Sequence, residues 1–495
     1  MLLIIIVGLL TAFLFKHLYW KRRNFPPGPT PLPFLGNLTV LKNYEPGYEC
    51  WKKLKEDYGP VYTFWLASLP SVVIADYEII KQTIIKDGGN YVGRPYFPIS
   101  GKMRGGQLGL IEAVDDRWVQ HRRFSLQVLR DFGLGKNLME EKVIIESQNL
   151  IELLKKQMES GPVDIQNNVD SAVGSIINNI LFGYRFDESN MEQFLTMKVG
   201  LARHFELAAH PIGMIIGMYP FLENFPYFKD QFKIVVNNWN TLYDLFGKQI
   251  EEHEKIIDYD TAEYSDYVEA FLKEKKKHED EPDFGGFEIM QLKNMCFDLW
   301  VAGMETTANT LYWSVLYVLL DEEVHRKVKK ELRDVIGSDR VITSTDKSSL
   351  NYVNATLNEI QRLANLLPQN LSRVVGKDTV IGGHLIKAGT ILTPQISAVL
   401  YDDKIFPDPY RFDPTRFLDE NGNVKKIEEF IPFSVGKRQC LGEGLAKLEL
   451  FIFFANFFNQ FDAEFDPAGG IPTTKKRFGV TMKAENYKLV LKNSY

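Results

Sequence analysis

Residues 288–320 contain no proline, are mostly apolar, and run IMQLKNMCFDLWVAGMETTANTLYWSVLYVLL from Ile289. A helix that long and that apolar cannot lie on a surface, so it must pass through the middle of a domain. Helical patterning also dominates from Ile111 to about Arg333 and returns from Gly442 to Phe461. The stretch Leu54–Ala75 has strand character (VYTFWLA, SVVIA), broken at Pro70, and Val374–Phe417 is rich in Gly, Pro and short β-like runs. The pattern predicts a mainly α fold with a smaller β portion and a single large domain.

The N-terminus imposes a second constraint. Met1–Phe15 carries no charge, and Leu18, Tyr19 and Trp20 extend the apolar segment to about the length of a bilayer core. A cleaved signal would have basic residues before the apolar run and small residues after it. Here Lys21, Arg22 and Arg23 follow the run, which predicts a single anchor with the next domain on the cytosolic side. Pro26, Pro27, Pro29, Pro31 and Pro33 forbid helix and predict a stiff extended strut. The expected division is 1–20 anchor, 21–37 basic and proline-rich hinge, and 38–495 catalytic domain.

A net charge of −6 with no basic block argues against nucleic-acid binding. Three cysteines in 495 residues cannot form a disulfide framework and suit a reducing compartment. Cys50 and Cys296 read as small buried hydrophobes. Cys440 differs. It lies in FSVGKRQCLG (Phe433–Gly442), where Gly436 allows a tight bulge and Gly442 opens a helix whose N–H groups would face the sulfur. With Lys437 and Arg438 beside it, the picture is a thiolate ligand to one metal, next to a cation for an anionic group. Zinc is a poor fit, because no CxxC or HExxH exists.

These residues resemble the cytochrome P-450 family along nearly the whole chain. FxxGxRxCxG, the haem signature, is matched by Phe433, Gly436, Arg438, Cys440 and Gly442. AGMETT in the long apolar segment matches at Ala302, Gly303, Glu305, Thr306 and Thr307. Glu359 and Arg362 match ExxR, FDPTRF supplies Arg416, and Trp118 and Arg122 match WxxxR. RRFSLQVLRDFGLGK is similar to the animal microsomal branch that metabolises drugs, steroids and fatty acids.

The resemblance implies haem b, with Cys440 as the proximal ligand and a thiolate push that favours O–O cleavage. It also implies that Trp118, Arg122 and Arg438, with Arg94 and Arg373, pair the haem propionates, and that Ala302 and Phe433 belong to the haem-binding set. Glu305 and Thr306 become the acid–alcohol pair that relays protons during dioxygen reduction. Glu359, Arg362 and Arg416 become a structural ion network. The expected activity is membrane-anchored monooxygenation, hydroxylating or epoxidising a small lipophilic substrate. Electrons would come from NADPH through a separate cytochrome P-450 reductase, with cytochrome b5 as a further donor. The expected location is the endoplasmic reticulum membrane. Two alternatives stand beside this: a non-catalytic haem sensor or carrier, and a haem-thiolate isomerase. The intact Glu305-Thr306 pair speaks against the isomerase.

Phe97–Ala113 is expected to cover the substrate pocket, Leu366–Leu371 to face the haem edge, and Phe478 to enter from the C-terminal loop. Ala208–Phe221 could line an entrance or meet the bilayer. Lys437, Lys447, Arg123, Arg130 and Lys136 are candidates for a basic docking face. The chain departs from the family at Ile386-Lys387-Ala388-Gly389-Thr390, where I-P-K-G-T is frequent and the proline is lost, and at Tyr401, where histidine is common. Asn37, Asn354 and Asn370 head glycosylation sequons that a cytosolic domain would leave unmodified.

Overall fold

The computed structural model describes residues 1–43, 48–133, 137–477 and 479–495. Lys136 and Phe478 fall outside them. The long helix is present as Ile289–Leu320, buried along nearly its whole length. It packs against the helices Ile165–Phe182, Asn351–Ala364 and Glu443–Gln460, which form the main core with it. The last of these carries buried Phe451, Phe453, Phe454, Phe457 and Phe458, so it is apolar on all faces for the same reason as its partner.

The β portion is smaller. Val61–Leu66 pairs antiparallel with Leu69–Ile74, which pairs parallel with Ile391–Pro394, which pairs antiparallel with Arg373–Val374. Two expectations need correction. Leu54–Tyr58 belongs to the helix Tyr48–Tyr58, and the strands begin only at Val61. Pro70 does not break the strand. It faces Trp65 at the strand's start, and pairing to the inner neighbour begins one residue later at Ser71, where an N–H is needed. A C-terminal hairpin, Phe461–Phe465 with Leu489–Asn493, was not anticipated.

Leu2–Leu18 is a helix with no buried residue, and Leu2–Arg22 is long and apolar enough to cross a membrane. The proline segment docks on the first strand. Thr63 donates from its N–H to the Pro27 carbonyl and from its hydroxyl to the Pro26 carbonyl, both at 2.8 Å. A Cβ on Gly28 would strike the Thr63 carbonyl oxygen at 2.1 Å, so the segment lies flush against the sheet. Tyr219, at the end of the helix Pro211–Met218, donates to the Phe34 carbonyl at 3.3 Å.

Both departures from the family pattern find local partners. Lys387, standing where the family's proline would be, pairs Asp378 at 2.7 Å, and the Ala388 N–H donates to the same carboxylate at 2.9 Å. The Tyr401 hydroxyl donates to the Leu363 carbonyl at 2.5 Å and lies 2.8 Å from Lys476 Nζ.

Candidate active site

Gly436 and Ser434 both adopt positive φ, at +75° and +59°, and fold the chain before Cys440 into a tight loop. A Cβ on Gly436 would meet the Ile84 carbonyl oxygen at 2.3 Å, so glycine is required there on both counts. The Cys440 N–H closes the loop onto the Phe433 carbonyl at 3.0 Å. The helix Glu443–Gln460 starts immediately after, with Gly442 at its cap. The Cys440 sulfur is solvent-accessible although protein surrounds it. Burial pushes its thiol up, while the Gly442 N–H and Arg122 pull it back. Cys50 and Cys296 are buried. Burial raises Cys50 to about 12 and Cys296 well above its usual value, as expected of inert thiols.

Four arginines from distant parts of the chain converge around this loop. Arg122, on the helix Asp115–Asp131, donates to the Gln439 carbonyl at 2.7 Å. Arg438 donates to the carbonyls of Val92 at 2.7 Å and Ala113 at 2.6 Å. Arg94 donates to the carbonyls of Ser372 at 2.6 Å and Ile111 at 2.9 Å. Arg373 donates to the Val435 carbonyl at 2.7 Å. The Val374 N–H to Gly93 carbonyl bond, 3.0 Å, brings Arg94 beside Arg373. Trp118, nearly fully buried, lies under Arg438 with the guanidinium carbon 3.9 Å from its ring centre.

None of these four cations has an ion pair among the described residues. Burial, followed by the neighbouring arginines, pushes Arg438 down to about 8, and burial with Arg94 and Arg122 pushes Arg373 to about 9. Burial lowers Arg94 to about 10. Guanidinium does not release its proton in proteins, so these shifts express charge crowded together and short of anions. Arg373 Nε and Nη1 are buried with no hydrogen-bond partner, although such N–H groups are ordinarily satisfied. The donor set therefore fits a group with two carboxylates and a metal that accepts a thiolate, as haem does.

Within the long helix, Ala302 is exposed and Leu299, Gly303 and Thr306 are half-buried, while their neighbours are closed. Spacings of three and four place these four on one stripe, where a Cβ on Gly303 would meet the Ile177 side chain at 2.5 Å. Phe433 is half-buried beside Lys447, whose ammonium lies 5.4 Å from its ring centre. The Thr306 hydroxyl donates to the Ala302 carbonyl at 2.6 Å. Glu305 lies off the stripe. Its Oε1 is 2.9 Å from Lys483 Nζ and accepts from Asn309 at 3.0 Å and Thr481 at 3.1 Å. The structure thus brings Cys440 and the arginines together but holds the acid of the acid–alcohol pair on the C-terminal loop.

Sequence reasoning missed Asp298. With Glu305 it is one of the two acids in this helix, and a carboxylate in so apolar a run was the available signal. It is fully buried, pairs Arg104 at 2.7 Å, and accepts the N–H groups of Leu110 and Ile111 at 2.8 and 2.9 Å. It therefore pins 104–111, about half of the expected pocket cover, to the central helix. Glu359 and Arg362, both fully buried, pair at 2.7 Å, and Arg416 joins Glu359 at 3.2 Å. Of the docking candidates, Lys447 is held by Glu443 at 2.6 Å, and Arg130 bonds within its own helix.

The family model for Cytochrome P450 matches residues 26–491. Cytochrome P450 2C16 of Oryctolagus cuniculus is 35% identical over 464 residues, 92% of each chain. Cytochrome P450 2C8 of Homo sapiens is 34% identical over 491 residues, 98% of each, and Cytochrome P450 2C11 of Rattus norvegicus is 34% identical over 464. Because one family model spans nearly all of the chain, and the chain spans nearly all of its relatives, it belongs to the cytochrome P450 family of haem-thiolate monooxygenases.

Proposed function

We propose that this protein is a microsomal monooxygenase that oxidises small lipophilic molecules, of the drug, steroid or fatty-acid class, with Cys440 as its haem ligand. The single observation that carries the site assignment is the convergence of Arg94, Arg122, Arg373 and Arg438, unneutralised, around a solvent-accessible cysteine. In this reading the four guanidiniums and Trp118 hold the two propionates, and Ala302 and Phe433 flank the ring. Haem supplies reductive activation of dioxygen, and its thiolate ligand favours O–O cleavage. Gly436 and Gly442 shape the loop so that N–H groups stabilise the thiolate. Thr306, at the edge of the open stripe, exchanges its bond to the Ala302 carbonyl for one to water and so offers a proton. When its pairing to Lys483 opens, Glu305 takes up a proton from water and passes it on to Thr306. The apolar stripe and the cover pinned by Asp298 exclude water from the substrate.

Leu2–Arg22 serves as the single anchor, the docked proline segment sets the domain's orientation, and the domain faces the cytosol from the endoplasmic reticulum. NADPH–cytochrome P-450 reductase, and in addition cytochrome b5, would supply electrons at the Cys440 side, where Lys437 and Arg123 are exposed. A glycan on Asn37, Asn354 or Asn370 would overturn this orientation.

The deciding experiment is the dithionite-reduced, CO-bound difference spectrum of the wild type and Cys440→His. A strongly red-shifted Soret band, lost in the variant, is the expected result. An imidazole-like band in the wild type would remove Cys440 as ligand and the monooxygenase reading with it.

A further inference from the structure

Residues 110–113 of the pocket cover are fastened on two sides. The N–H groups of Leu110 and Ile111 go to Asp298. The Ile111 carbonyl accepts from Arg94 at 2.9 Å, and the Ala113 carbonyl accepts from Arg438 at 2.6 Å. Glu112 stands between those two carbonyls, so its main chain is held among the arginines assigned to the propionates. Its charge is also the strongest acting on Arg94, ahead of Arg122 and Asp298.

The Glu112 carboxylate is poorly neutralised. Its ion pair is with Arg104, whose Nε lies 4.0 Å from Glu112 Oε1, too far for a hydrogen bond. That guanidinium is committed to Asp298 at 2.7 Å. Arg104 Nε and Glu112 Oε2 are both buried without a hydrogen-bond partner. The groups facing Glu112 are Ser100 and Arg104 of the helix Pro98–Arg104, Asp298 of the central helix, and Arg94. Burial, with a smaller push from Asp298, raises its pKa against the pulls of Arg104, Ser100 and Arg94. The side chain still keeps 23% of its surface open, so water can exchange protons with it. A carboxyl so placed is ready to change charge when a second negative charge appears nearby.

We propose that Glu112 takes up a proton as the haem is reduced, and so helps set the potential at which the first electron enters. This rests on the haem-thiolate reading above. One electron from the reductase goes to the haem iron. One proton leaves hydronium for a Glu112 oxygen, where an O–H bond forms. Ionised Glu112 opposes the added electron by Coulomb repulsion, which is strong at a site largely closed to water. Protonation removes that opposition.

The test is anaerobic potentiometric titration of full-length haem-loaded protein, with dithionite and mediator dyes, from mildly acidic to mildly alkaline pH. The wild-type midpoint should fall as pH rises, because reduction then takes up a proton. Glu112→Gln has no charge to lose, so it should hold a higher midpoint at alkaline pH and lose at least about half of the wild-type slope. The two profiles should converge towards acid, and Glu112→Asp should keep the fall with pH. A merely structural Glu112 would leave all three profiles alike. A wild-type midpoint independent of pH would overturn the proposal without any variant. So would equal midpoints in wild type and Glu112→Gln, with the red-shifted CO band intact in both. Loss of that band in the wild type itself would overturn the haem-thiolate reading, and this proposal with it.

Discussion

Lys483 Nζ lies 2.9 Å from Glu305 Oε1, the same carboxylate oxygen that accepts from Thr481 and Asn309. Arg477 and Lys483 also bond to each other through their main chains, so this ion pair fastens a C-terminal turn to the central helix. Glu305 is buried and Lys483 half-exposed, so Lys483→Met should cost about 1–2 kcal/mol, the scale of a lost charged hydrogen bond at a partly wet site. In a Glu305→Gln background the same change should cost less than about 0.5 kcal/mol, because the carboxylate is gone. Urea denaturation of the four proteins completes the cycle. Equal losses in both backgrounds would show the pair to be uncoupled.

Asp298 holds Arg104 and two backbone N–H groups with one buried carboxylate. Asp298→Ala strands the Arg104 guanidinium and should cost about 3–5 kcal/mol. Asp298→Asn retains acceptor capacity and should cost less. Hydrogen exchange should quicken first at Leu110 and Ile111. Unchanged exchange there would remove Asp298 as the fastening of this loop.

At Gly436 the obstacle is steric. Positive φ and the Ile84 carbonyl at 2.3 Å from a built Cβ leave no room for alanine. Gly436→Ala should yield protein with little bound haem, read as the Soret-to-280 nm absorbance ratio after purification. Full haem content would show that the loop can shift.

The fully buried Lys476 donates to the Leu363 and Ala364 carbonyls and lies 2.8 Å from the Tyr401 hydroxyl. Burial, and then Arg362, push it down to about 7, against a weak opposing pull from Glu49. A base whose folded pKa is depressed binds fewer protons folded than unfolded between the two values. Stability therefore rises with pH from about 7 towards 10.5, and below 7 the full penalty applies. Lys476→Met should remove that rise, and the difference between the two proteins, measured by urea titration at several pH values, isolates it. Parallel pH profiles would show that Lys476 does not titrate in this range.

Much of this architecture was legible in the chain. The apolar run at 288–320 has one physical solution, burial as a helix, and Gly436, Cys440 and Gly442 announce a bent loop around a thiolate before a helix start. Trp118 and Arg122 share a face because four residues make one turn. These inferences rest on local periodicity and backbone sterics, which are properties of short segments.

Tertiary structure decided the rest. Arg94 and Arg122 lie about 250 residues before Arg373 and Arg438, and the four become one charge cluster only because the sheet sets Gly93 beside Val374 and the carbonyls of separate loops position each guanidinium. Pro70 read as a strand break, because its effect depends on which neighbour needs its missing N–H. Glu305 read as a free proton donor until folding placed Lys483 against it. Local periodicity and sterics are written along the chain, whereas charge pairing, burial and partner identity arise between segments and exist only once those segments are packed.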